Sequence, residues 1–433
     1  MSTTPQLLKS IQSCVAPHSA SVTIALSGGV DSVVMLHACL ALRVQTHASF
    51  SVNAIHIHHG LSPNADNWLL FCQQLCDQFQ LSFQCKIAFN YCKVNVQSEP
   101  RKSLEALARN ARYSALDRLA PADSLVLLGQ HADDQAETVL LQLKRGAGPK
   151  GLSGMAERFT KTSSVQYARP WINTGIGKQE ILDYALQHEL TWVEDESNQD
   201  TSFDRNFLRN DVMPILKQKW PQINKTIIRS ALLCASQNQL VETFAREALQ
   251  KIENEDAGLS LSGLAALPDT LLSEVIRLWS VQQIGFSVSG AQLYEIQKLR
   301  AAKADQVGFV QVDNWQCRSF NQYLYWVALS DIADVPLVTQ SLKIDLDTNM
   351  QYVDVTYGNL HRKVCLFANR PTKTIKAWMK ENGVKPWRRM AMPILCLDEQ
   401  VIAVQLGAKL VFSAQCQSKY PNTDEIHQLI QHI

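Results

Sequence analysis

The hexapeptide SGGVDS, residues 27–32, combines residue types that can hold a phosphate group. Gly28 and Gly29 allow a tight turn and a close approach of the backbone, and the hydroxyls of Ser27 and Ser32 add donors. A helix that begins here adds the free N–H groups of its first turn. Asp31 makes sense beside a polyphosphate chiefly as a ligand of Mg²⁺. A capped strand-to-helix turn is the alternative, but the full motif favours a phosphate site.

A second polar stretch, GQHADDQAET from Gly129 to Thr138, contains acidic residues at helical spacing. Asp134 and Glu137 are three positions apart and therefore share one face of a helix. Asp133 opens the same helix, where a carboxylate also suits the positive end of the helix dipole. His131 or the acidic cluster could accept a proton from a bound substrate, and the sequence leaves open which one does so. A solvated helix start is the alternative.

Two arginines and three histidines extend this set of candidates. Arg109 and Arg112 are three apart and face one way on a predicted helix, for which a salt-bridged surface is the alternative. His56, His58 and His59 lie within four positions, but no cysteine or acid completes a zinc ligand set at the usual spacing. We therefore expect strand-end packing, with a nucleotide-proximal role for His59.

Two basic regions suit a polyanionic partner. From His361 to Arg389 there are nine Lys or Arg and one acid, Glu381, with Trp378 and Trp387 interleaved. Such a run suits phosphates and unstacked bases, although a solvated face with two core tryptophans is the alternative. The residues that we expect to contact the partner here are Lys373, Lys376 and Lys380, whose spacing lets them share a helix face, together with Trp387 and Arg389.

The second basic region runs from Lys144 to Lys178, next to the acidic stretch. Farther along, Arg205 and Arg209 in RNFLR form an i, i+4 helical pair. Phosphate or RNA contact, closure over the site and simple helix packing are all compatible with that pair.

The elements that position these residues alternate between strands and helices up to about residue 130. SVTIAL, FSVNAIHI, SFQCKIAF and SLVLLGQ are β-rich, and helical patterns separate them. This alternation predicts right-handed βαβ units, a parallel sheet and therefore an α/β fold. Polar clusters at residues 27–32, 56–60 and 130–134 come at the carboxyl ends of predicted strands, where ligands of such sheets bind.

Composition limits the class of protein. The chain has 433 residues, 46% of them hydrophobic, and a net charge of +1, which suits two or three ordinary globular domains. No membrane span or signal peptide is visible, so the eleven cysteines are expected to be reduced thiols in a cytoplasmic protein. We expect a doubly wound catalytic domain at 1–217, a helical middle domain at 218–334 and a small α+β domain at 335–433.

The phosphate motif resembles the PP-loop of ATP pyrophosphatases. HIHHGLSPNAD, LEALARNARY, GQHADDQAETVLLQLKRGAGPKGLSGM, EDESNQD and RNFLRNDVMPIL add a combined similarity to bacterial tRNA(Ile)-lysidine synthetases. TKTIKAWMKENGVKPWRRM resembles their small C-terminal domain, except for Lys385 where that family commonly has proline. The resemblance spans the whole chain and is densest over residues 22–216.

This resemblance implies ligation of free L-lysine to C2 of the wobble cytidine in the tRNA(Ile) that carries a CAU anticodon. The implied cofactors are ATP and Mg²⁺, and no obligate protein partner is evident. By resemblance, Asp134 and Glu137 hold the lysine amines, and the helix of Arg109 and Arg112 borders the nucleotide. The expected nucleotide-binding residues are Ser27, Gly28, Gly29, Val30, Asp31, Ser32 and His59; the expected catalytic ones are Asp31, Arg109, Arg112, His131, Asp134 and Glu137, and Arg205 is expected to contact substrate.

Three other functions are alternatives. A PP-loop thiolase needs a reactive cysteine or a cluster, usually with CxxC spacing, which the sequence lacks. An amidotransferase needs a glutaminase domain or partner, and no such motif is visible. A tRNA-binding protein with a relict nucleotide fold would not need Asp31, Asp134 and Glu137.

Overall fold

The computed structural model describes residues 4–15, 20–60, 62–95, 104–162, 165–299, 308–333, 340–346 and 349–419. The chain divides into two compact units, Met1–Gln239 and Leu240–Ile433. Among the described helices, none has the length and apolar character needed to cross a membrane. The domain boundaries expected after residues 217 and 334 stay a prediction.

The first unit is built on a six-stranded sheet in the order β3-β2-β1-β4-β6-β5. Neighbouring strands run parallel, except that β5 is antiparallel to β6. The strand order reverses between β1 and β4, which is where sheets of this kind bind ligands. The strands are β1 Ser21–Ala25, β2 Ser51–His58, β3 Ile87–Lys93, β4 Leu125–Leu127, β5 Arg158–Thr162 and β6 Val165–Ala168.

Helices cover both faces of this sheet. Alternate strand residues point to opposite sides, so Ile24 packs with Leu36 and Leu75 on one face, and Val126 packs with Leu116 on the other. The helices are α1 Thr4–Val15, α2 Val30–Gln45, α3 Ala65–Phe83, α4 Leu104–Leu119, α5 Ala132–Lys144, α6 Pro149–Leu152, α7 Lys178–Gln187, α8 Asp204–Phe207, α9 Met213–Lys219 and α10 Ile223–Ile252. The predicted doubly wound parallel sheet is confirmed.

The second unit combines helices with antiparallel sheets in the orders β7-β10-β9-β8, β11-β12-β15-β16-β17 and β13-β14. Its helices are α11 Leu261–Ala265, α12 Asp269–Ile284, α13 Gly290–Leu299, α14 Ser330–Ala333, α15 Ile375–Glu381 and α16 Ala414–Lys419. The strands are β7 Leu259–Ser260, β8 Phe309–Val312, β9 Trp315–Phe320, β10 Tyr323–Ala328, β11 Gln340–Leu346, β12 Asn349–Thr356, β13 Lys363–Val364, β14 Lys373–Thr374, β15 Ile394–Leu397, β16 Gln400–Leu406 and β17 Lys409–Phe412.

The middle part of the chain is mainly helical, as predicted, but it also contains the sheet formed by β7 to β10, which the sequence analysis does not anticipate. Trp279 and Leu324 are buried in the core between these helices and this sheet. A separate core around Trp378 and Val404 packs α15 against the last sheet. The C-terminal part is therefore the expected mixture of helices and strands.

Candidate active site

The loop between β1 and α2 is organised by one buried hydroxyl. Ser32 Oγ accepts hydrogen bonds from the amides of Ser27 (3.1 Å) and Gly28 (3.2 Å), and donates to the Gly29 carbonyl (2.9 Å). Ser32 therefore shapes the loop from within. The amides of Ser32 and Val33 donate to the Gly29 carbonyl at 3.0 and 3.1 Å, so those of Val30 and Asp31, the first two residues of α2, are the donors available for a phosphate.

Two glycines, one in each of the loops that follow β1 and β4, allow close packing at the site. Gly28 has a φ of +90°, and a Cβ there would lie 2.9 Å from Val193 Cγ2, so a larger residue is both strained and obstructed. A Cβ on Gly129, after β4, would lie 3.0 Å from the backbone of Asp31. The polar loops that follow the two central strands therefore meet at one edge of the sheet, as predicted from their places in the sequence.

Asp31 lies between Lys178 and His131. Lys178 Nζ, at the start of α7, contacts both carboxylate oxygens at 2.9 and 3.0 Å. Nε2 of the buried His131 lies 3.7 Å from Asp31 Oδ1 and 3.5 Å from Asp134 Oδ2. His131 therefore bridges the phosphate loop and the acidic helix α5.

Asp134 and Glu137 share one face of α5, as predicted, and that face holds two arginines. Arg205 reaches Asp134 Oδ1 and Glu137 Oε2, each at 2.9 Å. Arg209 reaches the same two carboxylates at 3.0 and 2.8 Å. Closure over the site, phosphate or RNA contact and helix packing all stay predictions for this arginine pair.

The ionised state of this cluster follows from its pairing. Burial raises the pKa of Asp134, but the charges of His131, Arg205 and Arg209 outweigh it and hold the pKa below its usual value. Burial likewise lowers the pKa of Arg209, and Glu137 and Asp134 more than compensate. The site therefore holds Asp134 as a charged carboxylate, which a cationic substrate requires, next to Glu137, whose side chain is only 1% exposed.

Asp133, at the first turn of α5, joins three elements. Its Oδ2 accepts from the amide of Lys178 at 2.7 Å, and its Oδ1 accepts from Asn224 Nδ2 at 2.6 Å and from the Lys217 ammonium. Burial raises its pKa, but these donors prevail and lower it to about 2. Asp133 therefore stabilises the fold around the site.

We expect Asp133→Asn to reduce the free energy of unfolding at pH 7 by about 2 kcal/mol. This is the free energy that corresponds to the difference between the pKa of Asp133 in the unfolded and the folded protein. Because the folded-state pKa lies below the unfolded one, this stability is complete above about pH 4 and is lost as pH falls toward 2. Urea unfolding across that pH range measures it. Asp66→Asn is the control, because Asp66 is 73% exposed. Equal pH profiles for Asp133→Asn and wild type would contradict this assignment.

His59 and the α4 arginines lie at the neighbouring strand end. Arg112 Nε donates to His59 Nε2 at 3.3 Å, which places the imidazole proton on Nδ1. Burial, followed by Arg112, lowers the pKa of His59 to about 4, so the ring is neutral. Its Nδ1 is buried and has no hydrogen-bond partner among the described residues. The guanidinium of Arg109 instead lies 5.5 Å from the Tyr113 ring centre.

The other two histidines of the cluster are buried at the end of β2. His56 Nδ1 lies 3.0 Å from the Leu26 carbonyl and 3.4 Å from Cys72 Sγ. Burial raises the pKa of the Cys72 thiol to about 12, so it is an inert thiol of the core. Within the described ranges no group of three His, Cys, Asp or Glu side chains is arranged to hold a metal.

Three expected contact residues of the second unit are placed differently from the prediction. Lys373 is on β14 and not on the helix, because the Thr374 hydroxyl caps α15 by accepting from the Ala377 amide. The Lys373 ammonium contacts Glu381, and only Lys376 and Lys380 share the helix. Trp378 is fully buried core, which corrects its suggested base-contacting role.

Trp387 and Arg389 lie in the 3₁₀ turn Pro386–Ala391. Trp387 is half-buried against the rings of Phe320 and Tyr325, at centre distances of 6.0 and 5.8 Å. Arg389 is 8% exposed and donates from Nε to the Val384 carbonyl at 2.9 Å. Arg389 therefore serves the turn itself, which is a correction to its expected contact with the partner.

Sequence reasoning missed several residues of the site. Lys178 of α7 reaches Asp31 in the phosphate loop, Lys217 of α9 reaches Asp133 on the acidic helix, and no local pattern marks either lysine. Arg169, directly after β6, donates to Gln130 Oε1 at 2.6 Å and buttresses the β4 loop. Its position at the carboxyl end of a strand is the signal that could have revealed it, had β6 been predicted.

Comparison with known families agrees with this architecture. Residues 3–216 match the PP-loop domain, residues 259–325 the TilS substrate binding domain and residues 353–422 the TilS substrate C-terminal domain. A solved U34-tRNA thiolase from Methanococcus maripaludis, with its 4Fe-4S cluster, is similar at 18% identity and a TM-score of 0.43 over 53% of this chain and 77% of that chain.

Curated relatives cover nearly the whole chain. The tRNA(Ile)-lysidine synthase of Yersinia pseudotuberculosis is 34% identical over 88% of this chain and 90% of that protein. The corresponding values are 36%, 88% and 90% for the Vibrio cholerae enzyme, and 33%, 92% and 89% for that of Idiomarina loihiensis. The PP-loop domain implies ATP binding, and the two substrate domains indicate a tRNA partner. The chain belongs to the tRNA(Ile)-lysidine synthase family.

Proposed function

We propose that this protein joins free L-lysine to C2 of the wobble cytidine of the CAU-anticodon tRNA(Ile), producing lysidine, AMP and pyrophosphate. The observation that carries the proposal is the meeting of a phosphate loop with a paired-carboxylate face, bridged by His131. ATP and a diamine can thus be held beside one another. The modified tRNA reads AUA and accepts isoleucine, and we place the protein in the cytoplasm, where its substrates occur.

In this reaction ATP lies on the loop of Ser27 to Ser32, its phosphates facing the first amides of α2. The residues fit Mg²⁺, because this ion is usually held by one or two carboxylates and the phosphates themselves, and Asp31 offers a carboxylate at the loop. When bound, Mg²⁺ would neutralise charge on the phosphates. Lys178 would then exchange its contact with Asp31 for one with a phosphate oxygen.

The first step joins the cytidine to AMP. The cytosine O2 attacks the α-phosphorus, an O–P bond forms, and the bond to pyrophosphate breaks. We assign Arg109 and Arg112 to the charge that develops on the α-phosphate, and His59, whose buried Nδ1 has no partner among the described residues, to the nucleotide. The cytidine must leave its stack to reach this cleft, as other bases do in enzymes that modify them.

The second step joins the lysine. Asp134 and Glu137 hold its two ammonium groups, a role supported by the two arginine cations that they hold in this structure. The ε-amine has a solution pKa near 10.4 and must lose a proton before it attacks C2. His131 and the acidic cluster are both within reach to receive it. The N–C2 bond forms, the C2–O bond breaks, and AMP leaves with that oxygen.

Sustained pyrophosphate release tests this function. We expect release from ATP only when lysine and the CAU-anticodon tRNA are both present, with lysine incorporated into the RNA in equal amount. A thiolase would need a sulfur donor instead of lysine, and a tRNA-binding protein without catalysis would release no pyrophosphate. Sustained release without lysine, beyond the single turnover that transfers AMP to the tRNA, would refute the proposed reaction.

We also propose that the basic C-terminal segment binds the body of the tRNA. Replacing Lys373, Lys376 and Lys380 by Ala should weaken tRNA binding and reduce its salt dependence by up to about one counterion for each phosphate that is no longer neutralised. Because Lys373 already pairs with Glu381, we expect its single replacement to have the smaller effect. The dissociation constant measured against salt concentration provides the slope.

The control is Lys298→Ala, which removes an exposed lysine of the same unit that pairs with Glu295. The affinities of the triple variant for ATP and lysine should equal those of wild type. Identical salt slopes for the triple variant and wild type would show that this segment is only a solvated surface.

A further inference from the structure

The segment 203–209 presents different chemistry on its two sides. Arg205 and Arg209 point inward to the carboxylates of α5, as described above. Phe203 and Phe207 are 55% and 47% exposed, although phenylalanine is ordinarily buried. Phe203 is the N-cap of the short helix α8 and Phe207 is its last residue, and each phenylalanine is followed two positions later by one of the arginines.

Ion pairs hold this segment in place against α5. Lys144 Nζ, at the end of α5, contacts Asp204 Oδ1 at 2.5 Å, and Arg205 binds Asp134 and Glu137 near its start. No ring partner of Phe203 or Phe207 occurs in the part of the chain that the structure describes. The two rings are therefore attached to a fixed support but left uncovered beside the catalytic acids.

Leu143 enlarges the same surface. It precedes Lys144 on α5 and is 61% exposed. A group of large exposed apolar side chains next to a catalytic site is characteristic of a binding surface. Proteins usually bury large apolar side chains unless a partner covers them. Rings held on a fixed support favour a flat, rigid ligand.

The tRNA partner that the two substrate domains indicate identifies the ligand class as RNA. The segment from Lys144 to Lys178 contains seven Lys or Arg and a single acid, Glu157. Lys144 of this segment contacts the helix that carries Phe207. Proteins recognise RNA loops by stacking unpaired bases on aromatic rings while cations contact the phosphates.

We propose that Phe203 and Phe207 form a stacking platform for unpaired anticodon-loop bases next to the cytidine that enters the cleft. This inference rests on the proposed function, because it assumes that the anticodon loop is brought to α5. The arginine side of the segment then faces the reacting groups while its aromatic side holds the neighbouring bases. The platform would position the loop without touching the reacting atoms.

The test measures binding of an isolated anticodon stem-loop RNA, so it does not depend on catalysis. Stacking of one base is worth about 1–3 kcal/mol, so Phe203→Ala and Phe207→Ala should each raise the Kd by roughly 5- to 150-fold. Phe→Tyr should retain binding, whereas Phe→Leu, which keeps an apolar side chain without a ring, should lose most of it. Leu81→Ala is the control, since Leu81 is 79% exposed on α3.

An RNA with abasic sites beside the cytidine supplies the second measurement. The wild type should bind this abasic RNA more weakly than the intact RNA. The double variant Phe203→Ala/Phe207→Ala should bind the two RNAs equally, because it lacks the rings on which the bases would stack. Equal binding of intact and abasic RNA by the wild type, or full binding by the leucine variants, would overturn the platform. Absence of lysine incorporation by a wild type that binds the stem-loop through these rings would overturn the proposed reaction alone.

Discussion

Replacement of Asp31 by Asn is expected to abolish pyrophosphate release while leaving the fold intact. The substitution removes the single carboxylate of the phosphate loop, which we assign to Mg²⁺, and also the partner of Lys178. Loss of one preorganised electrostatic group costs about 100- to 1,000-fold in rate, and loss of the metal site should add to that. Pyrophosphate release with saturating lysine and tRNA is the measurement, and thermal unfolding checks the fold.

Glu295→Gln is the matched control, because it breaks another acid–lysine pair, with Lys298, at an exposed place in the second unit. We expect that variant to turn over at the wild-type rate. If Asp31→Asn also kept the wild-type rate, Asp31 would be a helix cap with no part in the chemistry. If Asp31→Asn lost activity only because the protein is less stable, the melting temperature of the variant would fall together with its activity.

Replacement of Asp134 by Asn, or of Glu137 by Gln, should impair the use of lysine more than formation of the adenylate. A hydrogen bond to a charged group contributes about 1.5–3 kcal/mol, so each change should raise the KM for lysine by roughly 10- to 150-fold. Single-turnover transfer of AMP to the tRNA without lysine should continue. The two assays together separate the two steps.

Stability must be measured beside these assays, because each carboxylate also neutralises Arg205 and Arg209. Removing one member of a buried pair leaves the other charge uncompensated, most severely at Glu137. The double replacement of Glu137 by Gln and Arg209 by Gln removes a charge of each sign and should restore stability but not lysine use. An unchanged KM for lysine with weakened ATP binding would assign the carboxylates to Mg²⁺ instead.

Much of the first unit could be predicted from the sequence because its signals are local. The alternation of β-rich and helical stretches, and the polar residues after the first and fourth strands, depend only on neighbours in the chain. Asp134 and Glu137 share a face because three positions are nearly one helical turn. The roles assigned to these residues stay predictions, as do those of His59 and the α4 arginines.

Prediction failed where a local pattern competed with a local cap or a core. Lys373, Lys376 and Lys380 have helical spacing, but the Thr374 hydroxyl begins the helix too late to include Lys373. Trp378 resembles a base-stacking residue between lysines, yet its indole donates to the Val364 carbonyl inside the core. A tryptophan within a basic run can be either exposed or buried, so only the packing of the folded chain could decide between these two possibilities.

The sequence by itself determined the phosphate loop, the acidic helix and the edge of the sheet on which both lie. Only the tertiary structure revealed that Lys178 binds Asp31, that Lys217 binds Asp133, and that Arg205 and Arg209 bind the acidic pair. These partners come from residues 68 to 147 positions away along the chain. Such contacts depend on how helices pack around the sheet, and no periodicity within one segment records that arrangement.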